Sequence, residues 1–244
     1  MAGIGAEFIT RTKYEFLEPS QQSRGLPQPP LELETYRDRK LIELPRPEAC
    51  KVPGIDLRQA IERRSSVRRY SRTPLAREEL SFLLWCTQGV KEVLPGSATL
   101  RTVPSAGARH ALETYLLINS VRGLETGLYW YSALRHGLAL LDASPTLGDQ
   151  LVAACLGQRF VAESAVTFIW SALTARMLWR YGERGYRYLF LDAGHVCQNL
   201  YLAAEAVGSG ACGVAAFSDD GVNGFLGIDG EQQFALYLAA VGKR

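Results

Sequence analysis

The densest concentration of chemically useful side chains is Arg63-Arg-Ser-Ser-Val-Arg-Arg-Tyr70. In extended backbone, successive side chains alternate between faces, so Arg64, Ser66 and Arg68 point the same way. Two guanidiniums and a hydroxyl on one face suit a phosphate monoester, because Arg gives bidentate, charge-assisted hydrogen bonds. A solvated basic loop has the same composition and is an equal alternative. A nucleic-acid contact is the more distant one, since 27 Lys+Arg against 25 Asp+Glu leave a net charge of only +2.

Three further segments could contribute. Pro104-Ser-Ala-Gly-Ala108 combines a rigid proline with small residues, which lets backbone approach a flat ligand closely. In Leu191-Asp-Ala-Gly-His-Val-Cys-Gln-Asn-Leu200, the residues Asp192, His195 and Asn199 share one helical face within an apolar segment. A polar stripe of this kind must be paired, and a neighbouring helix or a second subunit is the expected partner. Gly208-Ser-Gly-Ala-Cys-Gly213 matches G-x-G-x-x-G, but it follows a long helix and precedes a strand, the reverse of a dinucleotide-binding turn. It is expected to end the helix and bring backbone amides near a ligand edge. The three histidines give no zinc-type spacing, and neither a P-loop nor a nucleophile elbow occurs. Cofactor-based chemistry without a metal is what remains.

The 244 residues are 47% hydrophobic and 21% charged, the composition of a globular chain with a large core. Five cysteines (Cys50, Cys86, Cys155, Cys197 and Cys212) form no CxxC pair and read as reduced thiols of a cytoplasmic protein. Met1-Ala-Gly-Ile-Gly-Ala-Glu7 has neither the basic nor the apolar region of a signal peptide. The apolar run 165–173 is too short to span a bilayer, so no membrane partner is expected.

The elements that must hold these residues follow from patterning. Residues 1–52, rich in proline near 27–30 and 45–47, are expected to form an extended arm lying over a body or a neighbouring subunit. A mobile tail is the alternative. The body, 53–244, begins with a short helix capped by Asp56. A second helix is expected to start at Thr73-Pro74, with Leu75, Leu80, Leu83 and Leu84 on its apolar face. Strands are expected at 114–119, 128–131, 137–141, 165–173, 212–217 and 234–241. Helices are expected from Ser144-Pro145 to 156, over 186–207 and near 222–226. Mixed hairpins and crossovers favour an α+β fold.

Taken in order, five pieces resemble the FMN-dependent nitroreductase superfamily, and more narrowly its SagB-type dehydrogenase branch. They are Arg64-Ser-Ser-Val-Arg68, Pro104-Ser-Ala-Gly-Ala108, Trp179-Arg-Tyr-Gly-Glu-Arg-Gly-Tyr-Arg-Tyr188, Leu191-Asp-Ala-Gly-His195 with Gln198-Asn199, and the terminal Gly242-Lys243. The arm segment Phe8-Ile-Thr-Arg-Thr-Lys-Tyr14 adds a weaker match. The resemblance implies a central, mostly antiparallel sheet flanked by helices, and a homodimer with FMN at its interface. It implies that Arg64, Ser65, Ser66, Arg68 and Lys243 hold the FMN phosphate. Pro104, Ser105, Ala106 and Gly107 would line the isoalloxazine, and an amide at Cys212 or Gly213 would face its N5 edge, where a donor tunes hydride transfer.

Members of the branch oxidise thiazoline or oxazoline rings of peptides to thiazoles or oxazoles, with a Lys-Tyr pair as the catalytic feature. Here the pair is Arg180-Tyr181. Ring oxidation needs a base, and arginine cannot serve as one, which leaves the proton to Tyr181 with Arg180 or Arg184 as a charged neighbour. Packing in the core is the alternative role for Tyr181. Besides a SagB-type dehydrogenase with a peptide-modification partner, the resemblance admits an NAD(P)H-dependent nitro, quinone or enone reductase. It also admits a flavin-binding scaffold in a peptide-modification complex.

Overall fold

The computed structural model describes residues 3–95 and 98–244. Helix α1 (Ile4–Arg11) and strand β1 (Ile42–Glu43) precede α2 (Leu57–Arg63), α3 (Arg77–Gln88) and a hairpin of β2 (Val90–Leu94) and β3 (Ala98–Arg101). Next come β4 (Leu112–Ile118), β5 (Gly127–Ser132), β6 (Gly137–Asp142), α4 (Leu147–Ala154), α5 (Phe160–Glu163) and β7 (Val166–Leu173). The chain ends with α6 (Thr174–Tyr181), α7 (Gly185–Ala206), β8 (Ser209–Val214), α8 (Asp219–Leu226) and β9 (Gln233–Lys243). Seven strands form one sheet in the order β1-β6-β5-β4-β7-β9-β8. Every pairing in it is antiparallel. The α+β expectation and the antiparallel sheet both hold.

The central strands are apolar at consecutive positions because both faces are covered. On β4, Leu112, Leu116 and Ile118 enter a core shared with α3 and α7, including Leu80, Leu83, Val196 and Leu200. The intervening Tyr115 and Leu117 enter a second core with Leu147, Leu151, Val161 and Val222 of α4, α5 and α8. Helix α7 buries Leu189, Ala193, Val196, Cys197, Leu200 and Ala204, a three-and-four spacing that makes one continuous stripe. Among the described residues, no helix is long and apolar enough to cross a membrane.

Three expectations are corrected. The second helix starts at Arg77, not Thr73-Pro74. Leu75 instead donates its N–H to Ser120 O at 3.1 Å and accepts from Arg122 N at 2.9 Å, a short bridge that holds the chain extended. Glu79 then caps the helix by accepting from Ala76 N at 2.8 Å. The strand expected over 212–217 runs from Ser209 to Val214. Within the N-terminal segment, Ile4–Arg11 coils into α1, carrying a Glu7–Arg11 ion pair at 2.7 Å, and 3-10 turns follow. The segment lies along its own chain: Trp179 Nε1 donates to Leu26 O at 2.9 Å, Arg176 Nε donates to Pro30 O at 2.7 Å, and β1 pairs with β6. All five cysteines are free thiols.

Candidate functional site

The basic segment emerges from α2, whose first turn Asp56 caps by accepting from Gln59 N at 3.1 Å. Arg64 leaves the helix with φ −51° and ψ 123°, and the chain then runs beside β8. Ser66 bridges Ala211, and Val67 N donates to Ala211 O at 2.9 Å. Val67 is half-buried against Gly210, where an added Cβ would lie 2.5 Å from a Val67 methyl. Tyr70 anchors the far end, donating to Val67 O at 2.6 Å with Ala240 O at 3.1 Å. Gly210→Ala is therefore expected to lower stability by about 1–3 kcal/mol, the usual effect of overpacking. A thermal melt indistinguishable from wild type would show that this strand yields freely.

With Val67 turned inward, Arg64, Ser66 and Arg68 occupy the other positions of the alternation. Arg64 lies over the Tyr201 ring at 5.4 Å, and Ser66 Oγ is 3.1 Å from Tyr201 Oη. Among the described residues, no carboxylate pairs with Arg64 or Arg68. Ser65 is exposed beside them. Lys243 is close by, its carbonyl accepting from Ser71 N at 2.8 Å. Its ammonium donates to Glu79 Oε1 and to Val207 O, both at 2.5 Å, so two of its three N–H groups are engaged.

Gly213 N donates to Tyr201 Oη at 2.7 Å, and Cys212 lies within the β8–β9 ladder. Neither amide is thus presented as expected. Burial pushes the Cys212 thiol up, with Arg68 pulling it partly back, so it is a packed thiol. Ala215 and Ala216, past the end of the ladder, are exposed and their amides donate to nothing among the described residues. Ala215 lines a cleft of about 370 Å³ together with Phe190, Ala193, Gly194, Phe217 and Tyr237.

The second group forms on another part of α7. Ser105 Oγ donates to Asp192 Oδ2 at 2.6 Å, Ala106 N donates to Asp192 Oδ1 at 3.2 Å, and His110 N donates to Ser105 Oγ at 2.9 Å. Burial raises the Asp192 carboxyl above the usual range, opposed by those two hydrogen bonds and by His195. Pro104 remains exposed. Gly107 takes φ +56°, and a Cβ there would meet Tyr181 Oη at 2.4 Å and Arg180 Nε at 2.8 Å. The turn thus brings Pro104–Gly107 directly against Arg180 and Tyr181. Arg180 lies 5.7 Å from the Tyr181 ring centre. Arg184 does not join them, stacking instead on Tyr14 at 4.2 Å and donating to Tyr188 Oη at 2.8 Å.

Two members of the polar stripe of α7 find partners within the chain. Asp192 holds the Ser105 turn, Asn199 Nδ2 donates to Cys86 O at 2.9 Å, and His195 is exposed. Tyr201 and Glu79 are the members that sequence reasoning missed. Tyr201 continues the helix two residues beyond Asn199, the one signal that could have marked it. Nine residues separate Asp192 from Tyr201. That is about two and a half helical turns, so the two groups lie on opposite sides of α7. Among the described residues, no cluster of His, Cys, Asp or Glu could hold a metal.

The sequence model of the Nitroreductase family matches residues 61–243. The chain belongs to the nitroreductase family. A Methanocaldococcus jannaschii protein classed with the nitroreductases is 36% identical over 208 residues, which are 85% of this chain and 98% of that protein. The trifolitoxin-processing protein of Rhizobium leguminosarum bv. trifolii is 31% identical over 133 residues, covering 53% of this chain and 36% of that one. Among solved structures, a protein of Anabaena variabilis classed with the nitroreductases superposes with TM-score 0.70 at 27% identity, over 86% of this chain and 42% of that chain. The E. coli microcin synthetase complex contains a chain with the same fold, at TM-score 0.62 and 21% identity, over 99% of this chain and 92% of that one.

Proposed function

We infer that this nitroreductase-family chain is an FMN-dependent oxidoreductase, and that it acts as a SagB-type dehydrogenase converting thiazoline or oxazoline rings of a peptide to thiazoles or oxazoles. The observation that carries this reading is the meeting of Arg180 and Tyr181 with Gly107 of the turn assigned to the flavin ring. The match to a trifolitoxin-processing protein supports a processing role of this kind.

The residues fit FMN. Arg64, Ser66 and Arg68 form a cationic face lacking carboxylate partners, which suits the phosphate. Ser65 is exposed beside it, and Lys243 would contribute the N–H that Glu79 and Val207 leave unengaged. Pro104, Ser105, Ala106 and Gly107 line the ring, held by Asp192. The amide facing the flavin edge moves from Cys212 or Gly213 to Ala215 or Ala216, because Tyr201 takes the Gly213 N–H. With the phosphate face and the ring-lining turn on opposite sides of α7, each flavin uses one group from each copy of a homodimer.

FMN held there would supply a hydride acceptor for the ring and a route for the electrons to oxygen. The chain's own task is the accompanying proton. Arg180 stays charged and orients, while Tyr181, which must act as its phenolate for the step to balance, would take up at Oη the proton leaving the ring carbon. Tyr181→Phe is expected to retain a full complement of flavin and slow dehydrogenation by about a hundredfold or more, the usual share of general-base catalysis. The assay is the loss of two hydrogens from a synthetic thiazoline-containing peptide by mass spectrometry. Unchanged turnover assigns Tyr181 to packing.

The extent of the Methanocaldococcus match favours a second reading, an NAD(P)H-dependent reductase. Anaerobic addition of NADH or NADPH separates the two. Little bleaching of the flavin bands supports the dehydrogenase, and rapid bleaching selects the reductase.

A further inference from the structure

The segment Arg184-Gly-Tyr-Arg-Tyr188 has no part in the flavin site as described, yet four of its five residues carry bulky polar side chains. Two of them reach the N-terminal helix. Arg184 Nη1 donates to Thr12 O at 2.8 Å, and Arg187 Nε donates to Thr12 Oγ1 at 2.6 Å. Arg187 Nη2 also donates to Ile9 O, and its guanidinium stands 5.9 Å from the Phe8 ring. These carbonyls are the ones a helix C-terminus leaves unpaired, and two cations at that end match the helix dipole.

Apolar burial does not hold α1 in place. It has no buried residue, Ile4 is 87% exposed and Ile9 51% exposed. The anchor is Thr12, which is 3% exposed. Docking of α1 is therefore made by polar contacts concentrated on one short stretch.

Those contacts continue inward. Arg184 stacks on Tyr14 at 4.2 Å while donating to Tyr188 Oη at 2.8 Å. The Tyr188 oxygen thus accepts from Arg184 and shares a hydrogen bond with Tyr14 Oη at 3.1 Å. The Tyr188 hydrogen bond lowers the Tyr14 hydroxyl below the usual phenol range, and Arg184 adds to this. The Tyr188 ring meets Tyr181 edge-on, with centroids 4.8 Å apart. Tyr181 is bounded by Tyr188 and Arg180, with its hydroxyl at Gly107.

We propose that the N-terminal arm is a positioning element of the site: Tyr14, stacked on Arg184 and carried by the arm that Arg187 anchors at Ile9 and Thr12, fixes Tyr188, and Tyr188 fixes the ring of Tyr181 against Gly107. Tyr14 and Tyr188 are positioning residues, since neither touches the turn assigned to the flavin. The catalytic consequence rests on the assignment of Tyr181 as proton acceptor, whereas the coupling of arm to ring does not.

The test uses the full chain labelled with fluorotyrosine and observed by fluorine NMR. The Tyr181 resonance is identified by its loss in Tyr181→Phe. Tyr14→Phe keeps the ring over Arg184 and removes only the hydroxyl. Arg187→Gln loosens the arm without touching Tyr14, Tyr188 or Tyr181. Both substitutions are expected to shift or broaden the Tyr181 resonance. With the thiazoline peptide, Tyr14→Phe is expected to lower kcat about fivefold, equivalent to about 1 kcal/mol, with KM and flavin content unchanged. A Tyr181 resonance that stays in place in both variants overturns the proposal whatever the turnover. A resonance that moves while kcat holds in Tyr14→Phe, with Tyr181→Phe inactive, overturns the catalytic role of the arm. Full activity of Tyr181→Phe overturns the assignment of Tyr181 itself, and the catalytic role of the arm falls with it.

Discussion

Arg64→Ala lowers FMN affinity by about a hundredfold or more. Truncating one member of a hydrogen-bonded charge pair costs about 2–5 kcal/mol, and about 2.7 kcal/mol is a hundredfold in Kd. The size follows from what remains. Ser66 is a neutral donor, and Lys243 has two of its N–H groups engaged with Glu79 and Val207, so only Arg68 is left to balance the phosphate. Arg64→Lys retains the charge but loses the planar fork, and its affinity falls between the two. Arg69→Ala, at the opposite parity of the alternation, changes affinity by less than about threefold, as expected for an exposed charge. Titration of apoprotein into FMN, followed by quenching of flavin fluorescence, reads all four proteins. Wild-type affinity in both Arg64→Ala and Arg68→Ala would remove the phosphate from this face.

Glu113→Ala is the largest stability loss expected, about 3–5 kcal/mol. Glu113 Oε1 accepts from Arg176 Nη1 at 2.6 Å, and Oε2 accepts from Trp130 Nε1 at 2.8 Å. The two charged side chains are 6% and 3% exposed. Removing the carboxylate leaves the guanidinium without its counter-charge in the core, where Arg176 Nη2 already has no partner among the described residues. For a chain of this size the loss lowers the melting midpoint by about 6–20 °C. Differential scanning calorimetry of the variant checks it. The double change Glu113→Gln with Arg176→Met recovers much of the loss, because two neutral groups replace one unpaired charge. A shift of under a degree or two in Glu113→Ala would mean that water reaches Arg176.

Local patterning carried the sheet and its main helices. The hairpin pair at 128–131 and 137–141, the apolar run 165–173 and the spacing along 186–207 each became the expected element, because every one of them buries apolar side chains of its own. Asp56 capped its helix for a reason that lies within four residues. The failures came from distant partners. Pro74-Leu75 resembles a helix start until Ser120 and Arg122 hold the chain extended. Arg184 sits three residues from Tyr181, yet α6 ends between them and turns the guanidinium toward the arm. The site was legible in its two contiguous motifs, Arg64–Arg68 and Pro104–Gly107. Tyr201, which links the first motif to Gly213, lies far from both motifs in sequence, and its place on the long helix was the one signal it left.

The division of the two groups across α7 has a consequence for how the proposed homodimer behaves on dilution. When one cofactor is shared by two copies, its retention becomes a property of protein concentration as well as of pocket affinity. Dilution toward the dissociation constant of the pair should release flavin and subunits together. Excess FMN should draw the subunits back by mass action, since a ligand that binds only the associated state stabilises that state. The cofactor then also serves as a crosslink, and a substitution at the Asp192 turn should alter how tightly the copies associate.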